Sequence, residues 1–177
     1  VRDITSATIW ARDIAKAEAC AKKASLELGI PVSATDDGKD AASNADIIVT
    51  TTPSREPVLL TEWVKPGTHV TAMGSDAEHK NEIDPALIGR ADLYVCDSQA
   101  QTSILGELHH AIDAGIVAPD AAFPELGQII AKSNAGRTAA DQITLCDLTG
   151  TGVQDTAIAT LARERCDAAD AGTEVIS

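Results

Sequence analysis

Two short polar stretches hold the residues best suited to chemistry. Thr50, Thr51, Thr52, Pro53 and Ser54 follow an apolar run and offer hydroxyls together with backbone N–H groups. Such groups suit a cofactor ribose, although Pro53 also makes the stretch a rigid turn with no ligand at all. Met73, Gly74, Ser75 and Asp76 form the second stretch, with Lys80 four residues beyond the aspartate. A carboxylate beside a cation can serve as general acid or base when a closed site tunes its pKa. The same aspartate can instead cap a helix or anchor its loop. His79 fits an exposed loop histidine with no role. Asp76, His79, Glu82 and Asp84 are of metal-ligating types, but crowded polar residues are common in turns and no metal is expected.

Three further places carry residues of functional type. Arg12 stands at the end of a short β-prone run, where nucleotide-binding α/β folds meet the adenosine ribose; the usual carboxylate is one place late, as Asp13. A guanidinium there suits a 2'-phosphate through bidentate hydrogen bonds. It equally suits a solvated arginine, an adenine-stacking one or a helix-start charge. Gly106-Glu107-Leu108-His109-His110 lies within a helical pattern. Adjacent histidines on a helix diverge by about 100°, so they do not share a ligand, and Glu107 is placed to pair with His110. Asp147-Leu148-Thr149-Gly150-Thr151-Gly152 has the look of a small phosphate loop without the Lys-Ser/Thr ending of a nucleotide triphosphatase.

The elements that must position these residues alternate between strand and helix. Strands are expected at 8–11, 31–34, 45–50, 68–72, 91–96 and 143–146, from short apolar or β-branched runs. Helices are expected from Asp13 to Leu28, stopped by Gly29 and Pro31, and at 37–43, 85–88 and 124–131. Thr61 is expected to cap a short helix through Val64. The longest clear helix is expected from about Thr102 to Ala114, and another from about Val153 to Ala168. Continuous apolar strands between helices predict an α/β fold with a parallel sheet covered on both faces. Loops after such strands are where open α/β sheets hold ligands.

Composition narrows the function classes. The chain has 177 residues, 44% of them apolar and 23% charged, which is a globular composition. Fourteen Lys plus Arg against 27 Asp plus Glu give a formal charge of -13, which argues against a nucleic-acid partner. Cys20, Cys96, Cys146 and Cys166 are too widely spaced for a compact zinc site or redox dithiol, and reduced, mostly buried thiols are expected. With no long apolar run and no charged leader before one, no membrane partner is expected and the cytoplasm is the expected location. The chain opens at Val1-Arg2-Asp3-Ile4 and its single methionine is Met73, so it reads as a piece of a longer protein.

In order and spacing, several segments resemble the ornithine cyclodeaminase and mu-crystallin family. They are Val-Thr-Thr-Thr-Pro-Ser at 49–54, Pro66-Gly67-Thr68-His69-Val70, Gly74-Ser75-Asp76, Lys80, Glu82 and Asp84-Pro85. Gln101, Gly106-Glu107-Leu108, Glu125-Leu126-Gly127, Gly136-Arg137-Thr138 and Asp147-Leu148-Thr149-Gly150 continue the likeness. It covers nearly the whole chain. The resemblance implies a Rossmann-like parallel sheet flanked by helices, here missing its first strand and Gly-rich loop. Residues 1–150 would be a partial NAD(P)-binding domain, and 151–177 a C-terminal helix and tail returning to a substrate and dimerisation domain.

The same resemblance implies an NAD(P)-dependent enzyme of amino-acid or imino-acid metabolism, either a deaminating lyase or an imine reductase. Its partners would be a small amino-acid or imino-acid substrate and a second copy, through the missing domain. Asp76 and Lys80 match the catalytic positions. Arg12, Thr50, Thr51, Thr52, Pro53, Ser54, Met73, Gly74, Ser75 and Asp76 match the segments around the cofactor, NAD or NADP. Glu78-His79 replaces the family's usual Pro-Gly before the lysine. Gly106 to Ile112 after Gln101-Thr102 is similar to the ectoine utilisation subgroup. The covered portion alone is expected to be inactive, and the alternative is a non-catalytic nucleotide-binding protein of the mu-crystallin type.

Overall fold

The computed structural model describes residues 2–173. Its first unit is β1 (Ala7–Trp10), α1 (Ile14–Leu28) and β2 (Val32–Thr35), with the two strands parallel. Asp13 starts α1 by accepting a hydrogen bond from the Lys16 N–H, and Gly29 ends it in the left-handed region at φ 68°. Ala17 and Ala21 are the buried residues of this helix. Small side chains there let it lie close on its two strands.

A second, four-stranded sheet carries most of the core. After α2 (Gly38–Ser43), β3 (Ile47–Thr50) leads through a single 3-10 turn at Thr61–Trp63 to β4 (His69–Ala72). α3 (Pro85–Arg90), β5 (Leu93–Cys96), α4 (Gln99–Thr102), α5 (Glu107–Asp113) and α6 (Leu126–Ile130) follow. β6 (Thr144–Asp147) then inserts between β4 and β5, giving the order β3-β4-β6-β5 with every pairing parallel. Thr144 is opposite both His69 and Leu93, so all the strands end together on one side of the sheet. The expected α/β fold with parallel sheets is what forms.

One sheet face packs against α3 and α5. Val70, Leu145, Leu87 and Leu108 are buried there, each at most 1% exposed. The opposite face is only partly roofed by α6: His69, Thr71, Val95 and Cys146 border an open hollow of about 550 Å³ with Leu126 and Ile129 above it. Ile47 and Val49 are accordingly exposed, 42% and 56%, which corrects the expectation of a sheet covered on both faces. The edges of β1 and β3 that face one another are not hydrogen-bonded. Between them lies a cavity of about 580 Å³, lined by Ala7 and Thr8 on one side and by Ile47, Ile48 and Val49 on the other.

Other expectations change too. The single helix predicted over 102–114 is two helices, parted at Ser103–Gly106, because the backbone there closes on β6. A Cβ on Gly106 would sit 2.8 Å from Asp147 Oδ2, and that same oxygen accepts the Leu108 N–H at the start of α5. Thr61 does not cap the 3-10 turn; its hydroxyl donates to Asp84, which itself caps α3 through the Ala86 N–H. The four thiols are free, but Cys20 and Cys166 are exposed, since they lie on the outward faces of helices. α7 (Gly152–Ala169) has no buried residue, and the tail after 173 lies outside the described residues. No described helix is long and apolar enough to cross a membrane.

Candidate functional site

The carboxyl ends of β3 and β4 are adjacent, because Thr50 is opposite Ala72 in the register. The stretches after them therefore form one shelf: 51–54 from β3 and 73–76 from β4. Met73 N–H donates to the Thr50 carbonyl and extends the pairing one residue into the loops. Thr51 and Pro53 are exposed, while Thr52 and Ser54 are half-buried. Ser54 turns its hydroxyl to the Glu56 carbonyl at 2.7 Å. Met73 is 50% exposed on the second loop. A small hollow of about 140 Å³ lies across the mouth of the split sheet, lined by Thr8 and Trp10 from β1 and by Thr50, Thr51 and Thr52.

Asp76 and Lys80 meet at the tip of the second loop. Lys80 Nζ donates to Asp76 Oδ1 at 2.5 Å, with the aspartate exposed and the lysine largely covered. The hydrogen bond from Lys80 holds the Asp76 carboxyl below its ordinary pKa, so it is an ionised proton acceptor at neutral pH. The backbone beneath is fixed from three sides. Ser75, 1% exposed, donates to the Lys80 carbonyl at 2.7 Å. His110 Nε2 lies 2.6 Å from that carbonyl, and the Asn81 N–H donates to the Ser54 carbonyl at 2.9 Å, tying the two loops together.

The other singled-out residues have different placements. Arg12 follows β1, is exposed and makes no ion pair among the described residues. Thr50 and Ser75 turn their hydroxyls inward, so only their backbones face the shelf. Glu107 does not pair with His110; its two oxygens accept the N–H groups of Glu82 and Ile83, while His109 approaches Asp113 at 3.5 Å. The amides of the loop after β6 are already taken: Asp97, at the end of β5, accepts the Thr149 and Gly150 N–H groups through Oδ2, leaving them no room for a phosphate. Glu82 and Asp84 are engaged with protein donors, and no group of three metal-ligating side chains occurs among the described residues.

Behind the shelf lies a cluster that sequence reading missed. Glu82, Glu107 and Asp147 are all at most 1% exposed. Burial pushes the Glu107 carboxyl up to about 8, against the hydrogen bond from Glu82 N–H and helped by the charge of Asp147. Burial likewise pushes Asp147 up to about 7, although Tyr94 donates its hydroxyl at 2.7 Å and Leu108 its N–H. In sequence these acids carry no common spacing, so only their exceptional burial distinguishes them.

Comparison with known proteins settles the kinship. The profile of the ornithine cyclodeaminase/mu-crystallin family matches residues 1–170. The chain belongs to that family. A Sinorhizobium fredii protein named an uncharacterized cyclodeaminase is 60% identical over 173 residues, 98% of this chain and 52% of its own length. The crystal structure of the Paracoccus denitrificans iminosuccinate reductase in complex with NAD+ superposes with a TM-score of 0.85 at 36% identity, over 96% of this chain and 51% of that one. The Thermococcus litoralis Delta(1)-pyrroline-2-carboxylate reductase, in complex with NADH and L-proline, gives a TM-score of 0.93 at 27% identity, over 99% and 54%. The chain thus spans about half the length of the curated relatives it matches. Within the ornithine cyclodeaminase/mu-crystallin family, its Asp76–Lys80 pair sits at the carboxyl end of a parallel strand, where α/β folds place their ligands.

Proposed function

We propose that this chain is part of an NAD(P)-dependent enzyme of amino-acid or imino-acid metabolism, and that Asp76 is its proton-transfer residue. The observation that carries the reading is the Asp76–Lys80 pair, held at the β4 end of a shelf whose other half is the 51–54 loop. The shelf suits a dinucleotide: Thr51 and Met73 are exposed on it, and the Arg12 cation lies across the split sheet. NAD(P), when bound, supplies a hydride acceptor or donor at the carbon bearing the nitrogen. Lys80 keeps Asp76 ionised, Asp76 takes or returns the proton, and Ser75 with His110 fixes the loop that carries both.

The reading extends to the rest of the protein. Residues 1–150 form the partial nucleotide domain and 151–177 part of a substrate and dimerisation domain, for which the exposed Val153, Ile158 and Leu161 of α7 supply an apolar stripe. The cavity between β1 and β3 takes one further strand, whose following Gly-rich loop would complete the cofactor site. We place the enzyme in the cytoplasm as a homodimer acting on a small amino or imino acid. The Gly106–Ile112 stretch supports ectoine-derived substrates. Glu78-His79 beside Lys80 favours one second reading, a nucleotide-binding protein of the mu-crystallin type without turnover.

The test is to give the whole protein NADH or NADPH with Δ1-pyrroline-2-carboxylate, or with a 2-oxo acid and ammonia, and to follow loss of reduced cofactor. Ammonia release from L-ornithine or diaminobutyrate with NAD+ reads the lyase direction. Cofactor binding with neither reaction would establish the mu-crystallin reading, and no binding would remove both. In the same protein Arg12→Ala is expected to weaken NADP(H) about tenfold more than NAD(H), by titration of nicotinamide fluorescence. Equal weakening would instead point to adenine stacking or general electrostatics.

A further inference from the structure

Glu82 is wholly buried, yet its carboxylate joins the two loops of the shelf. Oε2 accepts the Thr50 hydroxyl at 2.7 Å and the Gly74 N–H at 2.8 Å. Oε1 accepts the Thr52 N–H. One side chain therefore holds the backbone of both loops, from a position 32 residues beyond Thr50. Its own main chain is anchored as firmly. The Glu82 carbonyl accepts the Val58 and Leu59 N–H groups at 2.8 and 3.0 Å, and its N–H donates to Glu107 Oε1 at 2.9 Å.

The space around this carboxylate is closed. A Cβ on Gly74 would lie 2.5 Å from Glu82 Cδ and closer still to the Thr52 carbonyl oxygen, so position 74 admits only glycine while Glu82 stays in place. A buried carboxylate satisfied by three donors is stable, whereas an amide NH2 left facing another donor leaves a buried group unpaired. Being fully buried, Glu82 touches neither cofactor nor substrate.

We infer that Glu82 is a positioning residue: its carboxylate sets the distance between the 50–54 loop and the Gly74–Asp76 loop, and through it the alignment of Asp76 with the bound nicotinamide cofactor. This rests on the cofactor reading above, but the clamp itself can be measured without it. Glu82→Gln retains the size of the side chain while replacing one acceptor by an amide NH2. Whichever way the amide turns, a donor then faces either the Thr52 N–H or the Gly74 N–H, and one loop is released.

The experiment uses the whole protein as wild type, Glu82→Gln, Thr50→Val, the double variant, and Val70→Ala as a core variant of matched melting temperature. Glu82→Gln is expected to raise the Kd for NADH about tenfold and to lower kcat about tenfold, and to speed amide exchange at Thr52 or Gly74 at least tenfold. Val70→Ala is expected to leave Kd and kcat alone. Thr50→Val, which removes one donor and leaves none opposed, is expected to give a loss of about threefold, and the double variant no more than Glu82→Gln alone. If Glu82→Gln does not fold, Thr50→Val with the exchange readout decides: unchanged Kd, kcat and exchange overturn the inference. It is also overturned if Glu82→Gln behaves as Val70→Ala does. Should the wild type bind no NADH, the proposed function falls, and positioning of a nicotinamide cofactor falls with it; faster exchange at Thr52 or Gly74 would then still establish the clamp.

Discussion

Replacing Asp76 with asparagine in the whole protein is expected to lower turnover by about 10²–10⁴-fold while leaving the Kd for NADH within about threefold. Asparagine has nearly the volume of aspartate and the residue is exposed, so the fold has little reason to respond. The negative charge and the basic oxygen are lost together, and Lys80 Nζ is left with a neutral amide oxygen in place of the carboxylate at Oδ1. Steady-state kinetics with a direct cofactor titration separates the two effects. Because the Lys80 hydrogen bond keeps the carboxyl pKa low, Asp76 is ionised throughout the neutral range. The acid limb of the wild-type rate profile should therefore not be set by this residue above about pH 4. Turnover unchanged in the variant would take Asp76 out of the chemistry.

Asp76 and Lys80 were legible in the sequence because four-residue spacing in a loop lets the two side chains meet, and nothing distant is needed. The strands were legible for a similar reason: runs such as Ile47–Thr50 and Leu93–Cys96 are short, apolar and closed by polar loops. Their order was not. β6 enters between β4 and β5 although nearly fifty residues separate it from β5, and no periodicity marks such an insertion. The break between α4 and α5 was equally hidden, since Leu105, Leu108, Ala111 and Ile112 keep helical phase across it. What breaks the helix is Asp147 beneath Gly106, a contact across 41 residues. Glu82 was seen only as a family match and as one of several acids in a polar turn. Its importance lies in three partners on two other loops, which local pattern does not encode.

The cluster behind the shelf makes stability fall as pH rises. Glu107 and Asp147 face Glu82, Tyr94, Asp97 and Cys96, and none of their hydrogen-bond partners among the described residues is a lysine or arginine. Their folded pKa values, about 8 and about 7, lie above those of the unfolded chain. The native state thus binds more protons than the unfolded one, and stability is full below the ordinary carboxyl range and drains away until pH passes the folded values. His69 works in the opposite sense, since burial lowers its pKa, but that contribution is confined to pH below its ordinary value of 6.5. Cys96 and Cys146, raised to about 11, lower stability only above about pH 9. Between pH 6.5 and 8.5 the buried acids dominate among these shifted groups. Urea denaturation across that window is expected to lose on the order of 2 kcal/mol in the wild type. Glu107→Gln, which cannot ionise, should lose most of this slope, while its amide NH2, left facing the Ile83 or Glu82 N–H, lowers stability at every pH alike. A wild-type profile level from pH 6.5 to 8.5 would mean that Glu107 titrates in the ordinary range, and that its burial is relieved by something other than its proton.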